Sequence, residues 1–210
     1  MNDSFGIDFK KAQKEVEQKR NSRPEKGDSL FKPDKDSWNN ARLNFLWDHW
    51  GCYVDGYKRA GDILVEHINT TRSDQDDLVY PIVFLYRHHF ELSLKAIIRD
   101  GNRLLCESAT FPTGHKLVNL WKECRKIFKK LREKEDFEEF KNLDAIEEYI
   151  EEFSKVDSSS EAFRYPEDKK GAAYLAGLTH INVRHLSEIV GKIAAFFGYV
   201  NTTISIWLGK

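Results

Sequence analysis

Four polar side chains interrupt the otherwise apolar stretch Tyr80–Arg99, and their types could support acid–base and phosphate chemistry. Arg87, Glu91 and Lys95 follow one another at four-residue steps, and His88 lies three residues before Glu91. On a helix these spacings place the four side chains along one stripe. Because unpaired buried charge is costly, the stripe needs a partner in the chain, in a second subunit or in a ligand. Histidine suits proton transfer near neutral pH, and arginine binds phosphate through two parallel hydrogen bonds.

Further basic, aromatic and histidine side chains could join this stripe after folding. Arg164 stands in a polar loop, where binding residues are frequent, but it could equally return to pair with Glu91. The catalytic candidates are Arg87 and His88, and the binding candidates are Glu91, Lys95, His115, Arg164, Tyr165, Arg184 and His185. The competing interpretation is that the charges on the stripe form a buried network that fixes helix packing and touches no substrate.

Metal and nucleophile chemistry have little support in the sequence. His88 and Glu91, and again His185 and Glu188, place an imidazole and a carboxylate on one helix face. Di-metal sites in bundles use the order Glu-x-x-His with further carboxylates, which is reversed here. The three cysteines lie far apart and form neither a disulfide framework nor a zinc spacing. We therefore expect no metal and no cofactor.

Apolar residues recur at three- and four-residue steps over most of the chain, which predicts helices. No alternating strand pattern of useful length occurs. The pattern predicts an all-α, up-and-down bundle of about five helices. Their predicted extents are about Ser37–Asn69, Tyr80–Arg99, a third from near His115, about Phe137–Phe153, and about Tyr174–Tyr199. In the first of these, Gly51, Gly56 and Gly61 predict either close packing or a kink.

Composition and charge suggest where the protein acts. The 210 residues carry a formal net charge of −1, which gives no general attraction to nucleic acid or anionic membranes. Residues 1–35 are rich in charge and contain Pro24 and Pro33, so we expect a mobile N-terminal arm before a single helical domain over 36–210. The N-terminus lacks the apolar segment of a secretory signal, and no uncharged apolar run of membrane-spanning length occurs. We therefore expect a cytoplasmic protein with no membrane partner.

Two stretches, FELSLKAIIRDG at 90–101 and GHKLVNLW at 114–121, resemble motifs of the HEPN superfamily. The segments FLYRHHFELSLK and EAFRYPEDKKG are similar to a bacterial subgroup of HEPN-like proteins. This resemblance implies a helical bundle of four or five helices that commonly forms a homodimer. Many such domains are metal-independent ribonucleases or toxins in defence, and others bind nucleotides without catalysis. Active members carry an Arg and a later His with four to six residues between them, a spacing found here only at Arg42–His49, to which we assign no catalytic role.

Two functions stay open at this point. In the first, a HEPN-like protein of a defence or toxin–antitoxin system binds RNA or a nucleotide, with metal-independent RNA cleavage as its activity. A homodimer would then double Arg87 and His88 and supply both an acid and a base. In the second, the bundle is a non-catalytic module that docks a partner protein of the same system.

Overall fold

The computed structural model describes residues 26–43, 50–108, 113–134 and 140–209, together with positions 10, 13, 14, 17 and 24. The chain divides into two compact units, residues 1–45 and 46–210. In the first unit, Ser37–Asn39 forms one turn of 3₁₀ helix, and Asp34 and Asn40 hydrogen-bond to each other next to it. Most of the predicted N-terminal arm lies outside the described residues, so its mobility stays a prediction.

The described part of the second unit consists of five α-helices and no strands, which confirms the prediction of an all-helical fold. The up-and-down order and the HEPN-like arrangement remain predictions. The helices are α1 (Trp50–Thr71), α2 (Gln75–Leu104), α3 (Leu117–Lys134), α4 (Leu143–Val156) and α5 (Val183–Trp207).

Several of the predicted helix boundaries are wrong. Residues 140–142, which the fourth predicted helix includes, are not helical, because that helix begins at Leu143. Residues 40–43 are not helical, and the backbone of Asn40 is extended. Residues 174–182 are a turn and irregular backbone rather than the start of α5, because the Asn182 side chain caps that helix by accepting the His185 backbone N–H. Helix α2 begins at Gln75, so Pro81 falls in its second turn. Pro81 has no backbone N–H to donate to the carbonyl of Asp77 four residues earlier. Because Asp77 is exposed, water can hydrogen-bond to that carbonyl instead.

Helix α2 is the centre of the bundle. It packs against α1, α3 and α5, as expected for a helix that is apolar on most sides. Its completely buried apolar side chains recur every three or four residues and are Ile82, Tyr86, Phe90, Leu94 and Ile97. The Tyr86 hydroxyl lies 2.9 Å from Asp62 on α1 and 3.0 Å from Ser187 on α5, so it joins three helices.

The glycines of α1 differ in their surroundings. A Cβ atom on Gly61 would lie 2.6 Å from Tyr86 Cε1, so the close packing predicted from the glycines holds at this position. A Cβ atom on Gly51 or Gly56 would meet nothing within 4 Å in the part of the chain that the structure describes. Glycine destabilises a helix by about 1 kcal/mol relative to alanine, so a glycine inside a helix needs a reason. Packing against the described residues gives no such reason for Gly51 and Gly56.

Helix α5 ends the described chain. It contains the segment after Tyr199 that is apolar and β-branched in sequence. By length and composition it is the one described helix that could cross a membrane, although core helices of soluble proteins meet the same criteria. Only 28% of its most apolar stretch is buried in the described structure. The absence of a membrane partner stays a prediction.

Candidate functional site

Arg87 is completely buried, and its guanidinium joins three segments of the chain. Nη1 donates to Glu91 Oε2 at 3.2 Å, one turn further along α2. Nη2 donates to the backbone carbonyl of His115 at 2.8 Å, just before α3. Nε lies 3.4 Å from Asp157 Oδ2, directly after α4, as an ion-pair contact without hydrogen-bond geometry. Arg87 therefore positions other groups, because no part of it is open to a substrate.

Glu91 is buried among positive and donating groups. Its Oε1 accepts from Lys95 Nζ at 2.9 Å and from His115 Nδ1 at 2.7 Å. Burial alone would raise the pKa of Glu91, but the hydrogen bonds and charges of Lys95 and His115 outweigh it and lower that pKa. Glu91 is therefore an ionised carboxylate at neutral pH.

His115 reaches from the surface to this carboxylate. Its side chain is 68% exposed, while Nδ1 contacts buried Glu91. An ionised carboxylate can only accept, so Nδ1 carries a proton, and a ring that is protonated at Nδ1 alone has a lone pair on Nε2. Nε2 makes no hydrogen bond to the residues that the structure describes. A carboxylate that orients a histidine with one free nitrogen is the arrangement that general bases use.

A series of aromatic and cation–π contacts extends from His88, three residues before Glu91 on α2, and we call it the aromatic strip: Tyr57, Phe84, His88, Arg164 and Tyr165. The His88 ring stacks on Phe84 at 5.9 Å and meets Tyr57 edge-on at 4.4 Å. The Arg164 guanidinium lies 5.8 Å from the Phe84 ring centre and 5.4 Å from that of Tyr165. Tyr165 is exposed, and the three residues of the strip on α1 and α2 are half-buried.

The strip revises two expectations from the sequence. Arg164 does not return to pair with Glu91, because its Nε donates to the Ser160 carbonyl at 2.6 Å and its guanidinium covers aromatic rings. Burial lowers the pKa of His88, and the nearby charge of Glu91 opposes this shift only in part. His88 is therefore a neutral ring held by aromatic contacts.

Arg184 and His185 lie elsewhere. Both are exposed in the first turn of α5. No hydrogen bond, ion pair or ring contact joins them to the cluster on α2 within the described part of the chain. His185 instead lines an apolar groove of about 570 Å³ with residues of α2, α4 and α5, including Val83, Phe153 and Ile189. Folding within one chain therefore does not bring this pair to Arg87 and His88.

Sequence reasoning missed Asp157, which completes the charge network. This residue is 3% exposed, and its Oδ1 accepts the backbone N–H groups of Glu161 and Ala162 at 3.0 and 3.3 Å. It follows an acidic helix, and no local pattern separates it from the exposed Glu151 and Glu152. Among the described residues, no group of three or more His, Cys, Asp or Glu side chains could hold a metal ion.

The two stretches that resemble HEPN motifs meet at this site, since Glu91 belongs to the first and His115 to the second. Comparison with protein-family models, with curated proteins and with solved structures found no match for this chain.

Proposed function

We propose that this chain is a HEPN-like protein of bacterial defence or toxin biology that binds RNA and cleaves it without a metal ion. The observation that carries the proposal is the 2.7 Å contact between Glu91 and the exposed His115. It joins the two stretches of HEPN resemblance at one point, where a substrate could reach the histidine.

His115 is the base in the proposed reaction. Its Nε2 takes the proton of a ribose 2′-OH, whose oxygen attacks the adjacent phosphorus. The bond from phosphorus to the 5′-oxygen then breaks, which leaves a cyclic 2′,3′-phosphate and a 5′-hydroxyl. Glu91 stabilises the imidazolium that forms, and Lys95 adds positive charge near the developing phosphorane. The acid that protonates the leaving 5′-oxygen is His115 of the second copy in a homodimer.

The aromatic strip is the proposed binding surface for the RNA strand. Unpaired bases stack on aromatic rings and guanidinium planes regardless of sequence. Exposed Tyr165 and Arg164 offer such faces, and Arg164 is linked to His88 through the Phe84 ring. His88 precedes Glu91 by three residues on α2. Arg87 acts through Glu91 and His115 because it has no exposed surface.

The test is RNA integrity in bacteria after induced expression, followed by purified protein with labelled single-stranded RNA and a chelator. We expect RNA loss with the native chain and its disappearance in His115→Ala. The matched control is His180→Ala, because His180 is exposed and lies outside the charge network. Circular dichroism of each variant checks folding, and Tyr165→Ala should weaken RNA binding while the fold is kept. Intact RNA with the native chain, or cleavage that survives in folded His115→Ala, contradicts the proposal.

A second candidate is a non-catalytic module that docks a partner protein. The apolar groove next to His185 favours it, because Leu178, Ile181 and Phe163 are among the apolar side chains that line that groove. The same experiment separates the two. A folded monomer in solution that neither binds nor cleaves RNA would favour docking, since a monomer cannot complete a site shared between two copies.

A further inference from the structure

A second cavity, of about 530 Å³, lies between α1, α2 and α5. Its floor is formed by α2 residues that include His89, Ser93 and Ala96. With 3.6 residues per turn, these positions occupy the face of α2 opposite Arg87 and Glu91. The cavity is therefore separate from the proposed RNA site, and its volume lies within the range of small-molecule sites.

Three helical glycines line this cavity without any reason in the packing of the described residues. A Cβ atom on Gly51, Gly191 or Gly198 would meet no atom of the described residues within 4 Å. Gly101 is a contrast, because its Cβ would lie 2.5 Å from Ile127. Glycine is unfavourable inside helices. Glycine at the three lining positions is explained if a molecule outside the chain approaches the helix backbones there.

The cavity floor also carries two unsatisfied polar groups. His89 Nδ1 lies 2.9 Å from the Val54 carbonyl, so Nδ1 carries the proton and Nε2 is an acceptor. Burial lowers the pKa of His89, which keeps the ring neutral. Nε2 and the Ser93 hydroxyl one turn away are buried and have no hydrogen-bond partner in the described structure. Buried polar groups are normally paired, so these two indicate a missing partner.

Charge at the rim of the cavity is balanced among the described residues. Asp55 and Lys58 of α1 and Arg99 and Asp100 of α2 all line the cavity. Arg99 pairs with Asp100 at 2.8 Å and lies 5.6 Å from the ring of Trp50. Such a rim has no excess positive charge for a phosphate, so it suits a neutral ligand, and Trp50 adds an aromatic wall.

We propose that this cavity binds a neutral heterocycle of nucleoside size that carries a ring N–H. The ring lies against the backbones of α1 and α5 at the three glycines. Its N–H donates to His89 Nε2, and a second polar group of the ligand bonds to the Ser93 hydroxyl. Because both protein atoms are covered, the cavity floor shifts slightly when the ligand enters.

Isothermal titration of the full chain with guanosine and uridine, which carry a ring N–H, tests the proposal, with adenosine as the nucleoside that lacks one and guanosine monophosphate as the charged counterpart. We expect a neutral nucleoside to bind, and the added phosphate to weaken binding. Gly198→Leu, which fills the cavity, should weaken binding at least tenfold. Ser93→Ala should weaken it about fivefold, as expected for one lost hydrogen bond. Gly56→Leu is the matched control, because Gly56 is an equally unobstructed helical glycine that does not line the cavity.

Three outcomes would overturn the inference: no nucleoside binds at millimolar concentration, Gly198→Leu and Ser93→Ala bind like the native chain, or the monophosphate binds more tightly. The mass in solution provides a further check. If the native chain is a dimer and Gly198→Leu is a monomer, the cavity is an interface between copies and the ligand assignment is wrong. None of these readouts depends on RNA cleavage, so this inference and the proposed function can fail independently.

Discussion

Replacing Arg87 with methionine tests whether the buried charge network holds the bundle together. Methionine keeps a long flexible side chain but removes the charge that faces Glu91 and Asp157. Breaking a buried ion pair by removing one partner costs about 3–5 kcal/mol. Both carboxylates keep other donors, Glu91 from Lys95 and Asp157 from two backbone N–H groups. We therefore expect Arg87→Met to lower the free energy of unfolding by about 3 kcal/mol, at the low end of that range.

The assay is urea unfolding followed by far-ultraviolet circular dichroism, with Arg125→Met as the matched control. Arg125 pairs with Asp144 at 2.9 Å, but these side chains are 37% and 91% exposed. Exposed ion pairs contribute about 1 kcal/mol or less, so the control should unfold nearly like the native chain. If Arg87→Met and Arg125→Met lose the same stability, the network is not structural and the reasoning fails. Adding Asp157→Asn to Arg87→Met should cost less than the two single changes together, because the residues share one contact.

Two more predictions concern packing and pH. Gly61→Ala should lower the free energy of unfolding by about 1–3 kcal/mol despite better helix propensity, because the new Cβ would overlap the Tyr86 ring; an unchanged urea midpoint would mean that the ring moves aside. Burial lowers the folded-state pKa of His88 and of His89 below the ordinary value of 6.5, so the unfolded chain takes up protons first as pH falls. The urea concentration at the unfolding midpoint should therefore decrease as the pH is lowered below about 6.5, and it should decrease less steeply in His89→Asn. An equal dependence of the midpoint on pH in both proteins would contradict neutral, buried rings.

The periodicity of apolar residues predicted those helices whose buried side chains recur along one face. The spacing of charged residues predicted contacts within one helix. The pairs Arg87–Glu91 and Lys95–Glu91 form as their four-residue steps predict. The start of α5 was misplaced because apolar residues before it, such as Leu178, continue a helical spacing. The Asn182 cap was the signal that marks the true start.

Contacts between distant segments could not be predicted in the same way. Asp157 reaches Arg87 only because α4 ends beside α2, and an aspartate after an acidic helix is typical of exposed surface. Tyr57 has the spacing of a core residue, and its contact with the half-buried His88 depends on how α1 crosses α2. The exposed fraction of a side chain depends on how the helices pack together, so a short stretch of sequence cannot predict it.

The contacts of Asp157 also affect how the folded chain opens locally. The amide protons of Glu161 and Ala162 are held by the carboxylate whose other oxygen faces Arg87. These amides can exchange with solvent only when the segment after α4 detaches, and that motion leaves the Arg87 charge without one of its counter-ions. Local opening there is therefore coupled to the core, and the segment behaves as part of the cooperative unit rather than as an independent loop. Slow hydrogen exchange at these two amides, compared with the exposed turn at 168–171, is the signature of that coupling.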